Sequence, residues 1–453
     1  MAANGPMHRY MPDLARRSVP RYTSYPTAAE FDARVGAAEQ AAALGLIAPG
    51  TPVSLYLHIP YCHQICWYCG CNTGAVGRPE RLGAYVAALE REIVAVAGRL
   101  AGRVVAIHFG GGSPNSLAPR DFARLMDGLR SHFETDERLE VAVELDPRML
   151  DRAYADALAA AGVTRVSLGA QTFAPHIQAR INRVQPYAQV AEAVAGLRSA
   201  GIARVNLDLM YGLPGQRAQD IADTIALALD LAPDRIAMFG YAHMPRLLPR
   251  QRMIGEGALP DAEARFRQSV LADELLRQAG YAAIGFDHFA LPGDSLAIAV
   301  AEGRLRRNFQ GFTDEPGEAV IGLGASAISQ MPGLLVQNEK HVGRYRLRIA
   351  NGGLAGMRGV VRSAEDRLRG VLIERLLCDG TVDVAAIART QGQPPQQFAD
   401  ALAALQNHAA RGLVAVEGWR VAMLPAGRPY ARLVAAAFDA YRAVPTQGFS
   451  RAV

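Results

Sequence analysis

Short apolar, β-branched runs recur through the first half of the chain, at residues 53–59, 104–109, 139–145, 165–169, 205–211 and 235–240. Each is followed by a longer stretch with apolar positions at helical spacing, such as 81–100 and 120–132. Six strand-then-helix units predict a parallel sheet with helices outside it. Polar and glycine residues cluster just after the strand ends, in HIPYC, GGGSP, ELDP, GAQTF, DLMYGLPG and GYAHMP. In parallel barrels, sites assemble at the carboxyl ends of the strands. The expected fold class is therefore α/β, a partial (βα)6 TIM-like barrel open on one side and able to admit a large ligand.

The pattern changes on either side of this unit. Residues 1–50 predict an N-terminal extension near the active site, with RYTSYPTA (21–28) as an extended segment and a short helix at 37–46. The catalytic domain is expected over 51–360, as the partial barrel at about 51–245 plus a less regular elaboration carrying GFDHFA, RNFQGFT and GLGASAIS. Helical periodicity at 367–377, 383–391 and 395–411, then a hairpin-like pair of strands at 412–424, predicts a helical, winged-helix-like C-terminal domain over 361–453. Its last helix carries few basic residues, so a covering or structural role is expected in place of DNA binding.

Composition sharpens this picture. Of 453 residues, 50% are hydrophobic and 20% charged, enough for a large core. No apolar run approaches the roughly 18–20 residues that span a bilayer, and MAANGPMHRYMPDLARR at the start lacks the apolar segment of a secretory signal. A cytoplasmic protein is expected, with no membrane or nucleic-acid partner. Of 48 basic residues only Lys340 is a lysine, and they are dispersed along the chain. Coding bias explains the arginines most simply; their forks also suit carboxylates. Four of the five cysteines fall between positions 62 and 71, which reads as metal binding before disulfide formation. The fifth, Cys378, lies in an apolar helical run and reads as a core thiol.

The chemistry concentrates in C-H-Q-I-C-W-Y-C, where Cys62, Cys66 and Cys69 stand within eight residues. Three such thiolates can each cap one iron of a [4Fe-4S] cluster, leaving a fourth iron open to a ligand. Cys71 follows two residues later and could complete the cluster, or a four-thiolate zinc site. No second CxxC knuckle exists to favour zinc.

YLHIPYCHQICWYCGC resembles the cluster motif of the radical S-adenosylmethionine superfamily. With RYTSYPTA, HFGGGSP, ELDPR, GAQTF, INRVQ, DLMYGLPGQ, YAHMP, DHFA, RNFQGFT and the terminal FSRAV, the chain resembles the oxygen-independent coproporphyrinogen III oxidases (coproporphyrinogen dehydrogenases) nearly end to end. The resemblance implies a radical SAM barrel in which Cys62, Cys66 and Cys69 hold a [4Fe-4S] cluster and S-adenosylmethionine chelates the fourth iron, Cys71 being no ligand. It implies two S-adenosylmethionine molecules. Tyr56, Tyr68, Gly111, Gly112, Ser113, Glu144, Gln171, Arg183, Asp208, Ala242 and Ile328 are its cofactor-binding candidates, with Phe309 and Gln310 as weaker matches. Ser113 stands where the family usually has threonine, so the hydroxyl is kept.

The implied reaction is oxidative decarboxylation of two propionates of coproporphyrinogen III to vinyl groups, giving protoporphyrinogen IX. A 5′-deoxyadenosyl radical made from S-adenosylmethionine takes a hydrogen from the propionate. No further catalytic residue is assigned beyond the cluster and cofactor. Four propionates call for cationic anchors; Arg21 and Arg307 are the candidates. An electron donor such as flavodoxin or ferredoxin is implied, and a monomer is expected. The alternatives are a related radical SAM haem-trafficking or haem-modifying protein, or a non-catalytic iron–sulfur protein. Relatives of the former kind tend to lack RYTSYPTA and carry an aromatic residue where Cys71 stands.

Overall fold

The computed structural model describes residues 8–442 and Arg451. FSRAV, except for Arg451, lies outside the described residues.

Six parallel strands follow one another in space as in sequence: β1 (Pro52–Ile59), β2 (Arg103–Gly111), β3 (Thr135–Leu145), β4 (Arg165–Gln171), β5 (Arg204–Tyr211) and β6 (Arg235–Gly240). All the predicted strand positions are present. Helices connect them, including Pro79–Ala97, Pro119–His132, Tyr187–Ser199 and Ala218–Asp230. Side chains alternate along each strand. On β4 and β5, Val166, Leu168, Val205, Leu207 and Leu209 are fully buried toward the helices. The intervening positions, Ser167, Gly169, Gln171, Asn206 and Asp208, are only partly buried and line the inner face. The main hydrophobic core thus lies between sheet and helices, and the barrel interior is left polar.

The sheet does not stop at six strands. Beside β1, β9 (Ala319–Leu323) adds in parallel, and β10 (Ile328–Met331), β11 (Leu334–Asn338) and β12 (Gly356–Val361) continue antiparallel. Beside β6, the short β8 (His288–Ala290) and then β7 (Ala282–Ile284) add antiparallel. The twelve strands form one open sheet, so the barrel is partial. The stretch expected to be irregular, 260–345, supplies five of them.

C-terminal to β12 come the helices Ala364–Asp379, Val384–Thr390 and Ala399–Ala409, and the strands Val414–Glu417 and Arg420–Met423, joined by Thr381–Asp383 into a three-stranded sheet. These pack a second core that takes in Tyr22 and Tyr25 of RYTSYPTA. The Tyr22 hydroxyl donates to Asp439 at 2.9 Å, and the Tyr25 hydroxyl accepts from the Ala440 amide at 2.9 Å. The N-terminal segment is therefore tied to the far end of the chain, and it crosses the open mouth of the barrel between. Cys378 is buried in this region, and burial pushes its thiol up to about 12. No helix among the described residues is long and apolar enough to cross a membrane.

Candidate active site

The loop after β1 runs across the barrel mouth and is fastened at several points. Tyr61–Cys62 pairs with Gly74–Ala75, the Trp67 amide donates to Ile181 O at 3.0 Å, and Asn182 Nδ2 donates to Ile65 O at 2.9 Å. Gln251 Nε2 bridges Tyr68 O at 2.9 Å and Ala242 O at 3.0 Å, and Arg250 Nη2 reaches Thr73 O at 2.9 Å. These anchors hold the cysteine loop to the carboxyl end of β6. Neither Arg250 nor Gln251 was marked by the sequence, because their partners lie some 180 residues away.

A cavity of about 650 Å³ sits beneath this loop. It brings together Cys62, Cys66, Cys69 and Cys71 with Tyr68, Gly111, Gly112, Ser113, Glu144, Gln171, Arg183, Asp208, Ala242, Ile328 and Phe309. Arg21 and its neighbours in RYTSYPTA cover one side. Tyr56, Gln310 and Arg307 do not line it. The Tyr56 hydroxyl lies 3.0 Å from His58 Nδ1, and its ring meets Phe309 edge-on at 4.7 Å. His58 Nε2 in turn lies 3.0 Å from Asn72 O, so Tyr56 reaches the cysteine loop only through His58. Arg307 is buried behind Arg21, its Nη2 donating to Arg21 O at 3.3 Å and its guanidinium 4.4 Å from the Phe312 ring and 4.8 Å from Phe286.

Two guanidiniums address Cys66. Arg183 Nη1 donates to its Sγ at 3.4 Å and Arg148 Nη2 at 3.8 Å. Both also hold Asp146, at 3.4 and 2.6 Å. Burial pushes the Asp146 carboxyl up, but the charges of Arg183 and Arg148 outweigh it and hold the group low. At the other end of the loop, the side-chain hydrogen bond from Cys71 and the Cys71 amide, 3.4 Å away, lower the Cys69 thiol to about 6. Cys71 is pushed up by the same contact. The loop thus favours thiolate at Cys69 and keeps the proton on exposed Cys71.

The turn after β2 presses against this loop. Gly111 has φ +111°, and a Cβ there would lie 2.5 Å from His58. A Cβ on Gly112 would lie 2.6 Å from Tyr61 O and Thr73 Oγ1. Only glycine permits this approach. Glu144, at the end of β3, receives the Gly111 amide at 3.2 Å and lies 3.1 Å from His108 Nε2. Burial opposes its ionisation, but the His108 contact and the Gly111 amide hold its carboxyl low, ready to accept further hydrogen bonds. Across the mouth, burial and the charge of Glu144 raise Asp208 to about 6, against hydrogen bonds from Ser167 at 2.9 Å and Asn206 at 2.8 Å.

The donor set suits an iron–sulfur cluster beside a polar cofactor. The thiols are unbridged, and cations stand next to one of them. Among the described residues, no three His, Cys, Asp or Glu side chains converge as they would on one ion; a cluster offers each thiolate its own iron. Gln171, at φ +57°, leaves its Oε1 buried without a partner, an acceptor that a bound ligand would satisfy.

Residues 56–228 match the radical SAM superfamily model. The chain is 44% identical to an oxygen-independent coproporphyrinogen III oxidase of Bradyrhizobium diazoefficiens, over 96% of this chain and 97% of that one. It is 37% identical to the Escherichia coli K12 protein of the same description, over 96% of each. The solved structure of coproporphyrinogen III oxidase from Escherichia coli, described as a radical SAM enzyme, superposes with a TM-score of 0.89 at 36% identity, covering 93% of this chain and 97% of that one.

Proposed function

The chain belongs to the oxygen-independent coproporphyrinogen III oxidase family of radical SAM enzymes, and on that premise we propose that it converts coproporphyrinogen III to protoporphyrinogen IX without oxygen. Membership implies a [4Fe-4S] cluster and S-adenosylmethionine. The observation that carries the finer reading is the single cavity shared by the cysteines and the polar strand ends.

Cys62, Cys66 and Cys69 would hold the cluster, with S-adenosylmethionine on the fourth iron. Bound there, the pair supplies a carbon radical by one-electron cleavage of the sulfonium, able to take a hydrogen from a propionate. The chain's own work is binding, orientation and exclusion of quenchers. Arg183 and Arg148 stabilise negative charge at Cys66. The Gly111–Gly112–Ser113 turn offers backbone at close range, and Glu144 accepts from hydroxyl or amino donors beside it. Gln171, Asp208 and Ala242 line the opposite wall, where a second S-adenosylmethionine fits the same donor logic. Ile328 and Phe309 close the apolar side. The N-terminal segment over the mouth shields the cavity from solvent. We further infer a cytosolic monomer reduced by a small electron carrier of the flavodoxin or ferredoxin kind.

The test is anaerobic incubation of the reconstituted, reduced protein with S-adenosylmethionine and coproporphyrinogen III. Protoporphyrinogen IX should appear, with two 5′-deoxyadenosines for each ring converted. Deoxyadenosine without vinyl product would leave the superfamily standing and sink the substrate.

A further inference from the structure

A second, smaller pocket of about 70 Å³ opens beside the main cavity and shares Arg21, Phe239 and Gly240 with it. It lies where the N-terminal segment, the carboxyl end of β6 and the C-terminal helices meet. Five arginines line it, Arg21, Arg265, Arg428, Arg432 and Arg451, against two carboxylates, Asp273 and Asp287.

Both carboxylates are already engaged. Asp273 pairs with Arg277 at 2.7 Å, and Asp287 lies 2.6 Å from His288 Nδ1. Arg428, Arg21 and Arg265 are less well served. Arg428 Nε lies 4.0 Å from Asp273, and its guanidinium makes no hydrogen bond to a described residue. Arg21 donates to Gly240 O at 3.1 Å and is otherwise exposed. Arg265 is buried, with its Nε unpartnered. Behind Phe286, which forms part of the wall, Arg307 buries Nε and Nη1 without partners. Burial, followed by the charge of Arg277, lowers the Arg428 guanidinium to about 10. A buried guanidinium donor without a partner, as at Arg265 Nε, is costly unless an acceptor such as an anion joins it. An arginine fork matches a carboxylate in two-point geometry. The pocket has room for a carboxylate and not for a ring system, and it meets the main cavity at the wall the two share, Arg21, Phe239 and Gly240.

We propose that this pocket is a carboxylate subsite, taking one propionate of a tetrapyrrole seated in the main cavity, with Arg21 and Arg428 as its direct anchors. The proposal rests on the substrate reading above. It moves the second anchor from Arg307, which does not line the cavity, to Arg428, which the sequence did not single out.

The test is steady-state turnover of coproporphyrinogen III by the cluster-loaded enzyme and its Arg428→Gln, Arg21→Gln and Arg428→Lys variants. Arg267→Gln, on the exposed outer face of its helix, serves as control. Arg428→Gln and Arg21→Gln should each raise KM about tenfold or more with kcat within about twofold, since a lost carboxylate contact is lost in ground and transition states alike. Arg428→Lys should fall between, keeping charge but not the fork. Deoxyadenosine release without substrate should be unchanged in the Arg267→Gln control. Should Arg428→Gln melt early, Arg21→Gln decides, because its side chain is exposed. Normal KM in the folded variants overturns the subsite while leaving the substrate reading intact. Absence of vinyl product from the wild-type protein, with its cluster intact, sinks the substrate reading and the subsite with it.

Discussion

Two buried carboxylates, one at the barrel mouth and one behind β1, are kept in opposite ways. Asp146 sits between Arg148 and Arg183, whose charges hold it ionised against burial. Glu92, on the helix Pro79–Ala97, receives only neutral donors: the Gly324 amide and the Tyr345 hydroxyl at 2.6 Å, and Asn338 Nδ2 at 2.7 Å. There burial wins, and the carboxyl is pushed up to about 7. Glu92 fastens three segments from more than 230 residues away onto the barrel's first helix, and charge is incidental to that task. Asp146 gathers cations beside Cys66, where negative charge has to be held. The mouth is built to hold charge and the back to hold shape.

The most severe way to break this contrast is at the mouth. Cys66→Ser should reconstitute without a stable cluster and without turnover, while Cys71→Ser should keep four irons, read as iron and sulfide per chain. Next, Asp146→Asn leaves two buried guanidiniums side by side without the carboxylate they share. It should cost about 3–5 kcal/mol in denaturant unfolding. Glu92→Gln turns an amide N–H toward a donor and should cost less, about 1–3 kcal/mol by the same measurement.

The pH dependence separates the two acids further. Glu92 has a raised folded pKa, so its contribution is full below the ordinary carboxyl value of 4.5 and is lost as pH rises through about 7. Asp146 has a lowered one, so its contribution is present above the ordinary 3.8 and lost as pH falls below it. Glu92→Gln should therefore flatten the decline in stability between about pH 4.5 and 7, and Asp146→Asn should flatten the acid limb. The smallest effect sets the baseline: Arg152→Gln removes an exposed pair with Asp156, 2.9 Å apart, and should change stability by less than about 0.5 kcal/mol.

The six barrel strands were legible because each is a short apolar, β-branched run followed by helical periodicity. The strands β9 to β12 were not. They are short, and they become strands by pairing outward from β1, a long-range fact. Cys62, Cys66 and Cys69 stood out by spacing alone. Ala242 and Ile328, which line the cavity with ordinary side chains, entered only through the family resemblance. Gln310 and Arg307 share a motif with Phe309, yet only Phe309 lines the cavity: Phe309 and Gln310 form the turn of the Arg306–Asn308 and Gly311–Thr313 hairpin, and Arg307 is buried against Phe286 and Phe312. Asp146 and Arg148 lay inside ELDPR and were passed over for Glu144. Their link to Cys66 exists only once β3 and the cysteine loop meet.

The central claim is that three thiolates hold the cluster and leave one iron open. The most direct measurement is the electron paramagnetic resonance signal of the reduced, reconstituted protein before and after S-adenosylmethionine is added. The account predicts a clear change of signal on addition, in the wild-type protein and in Cys71→Ser alike. A signal indifferent to S-adenosylmethionine, together with loss of the cluster in Cys71→Ser, would mean that a fourth cysteine closes the site and would contradict it.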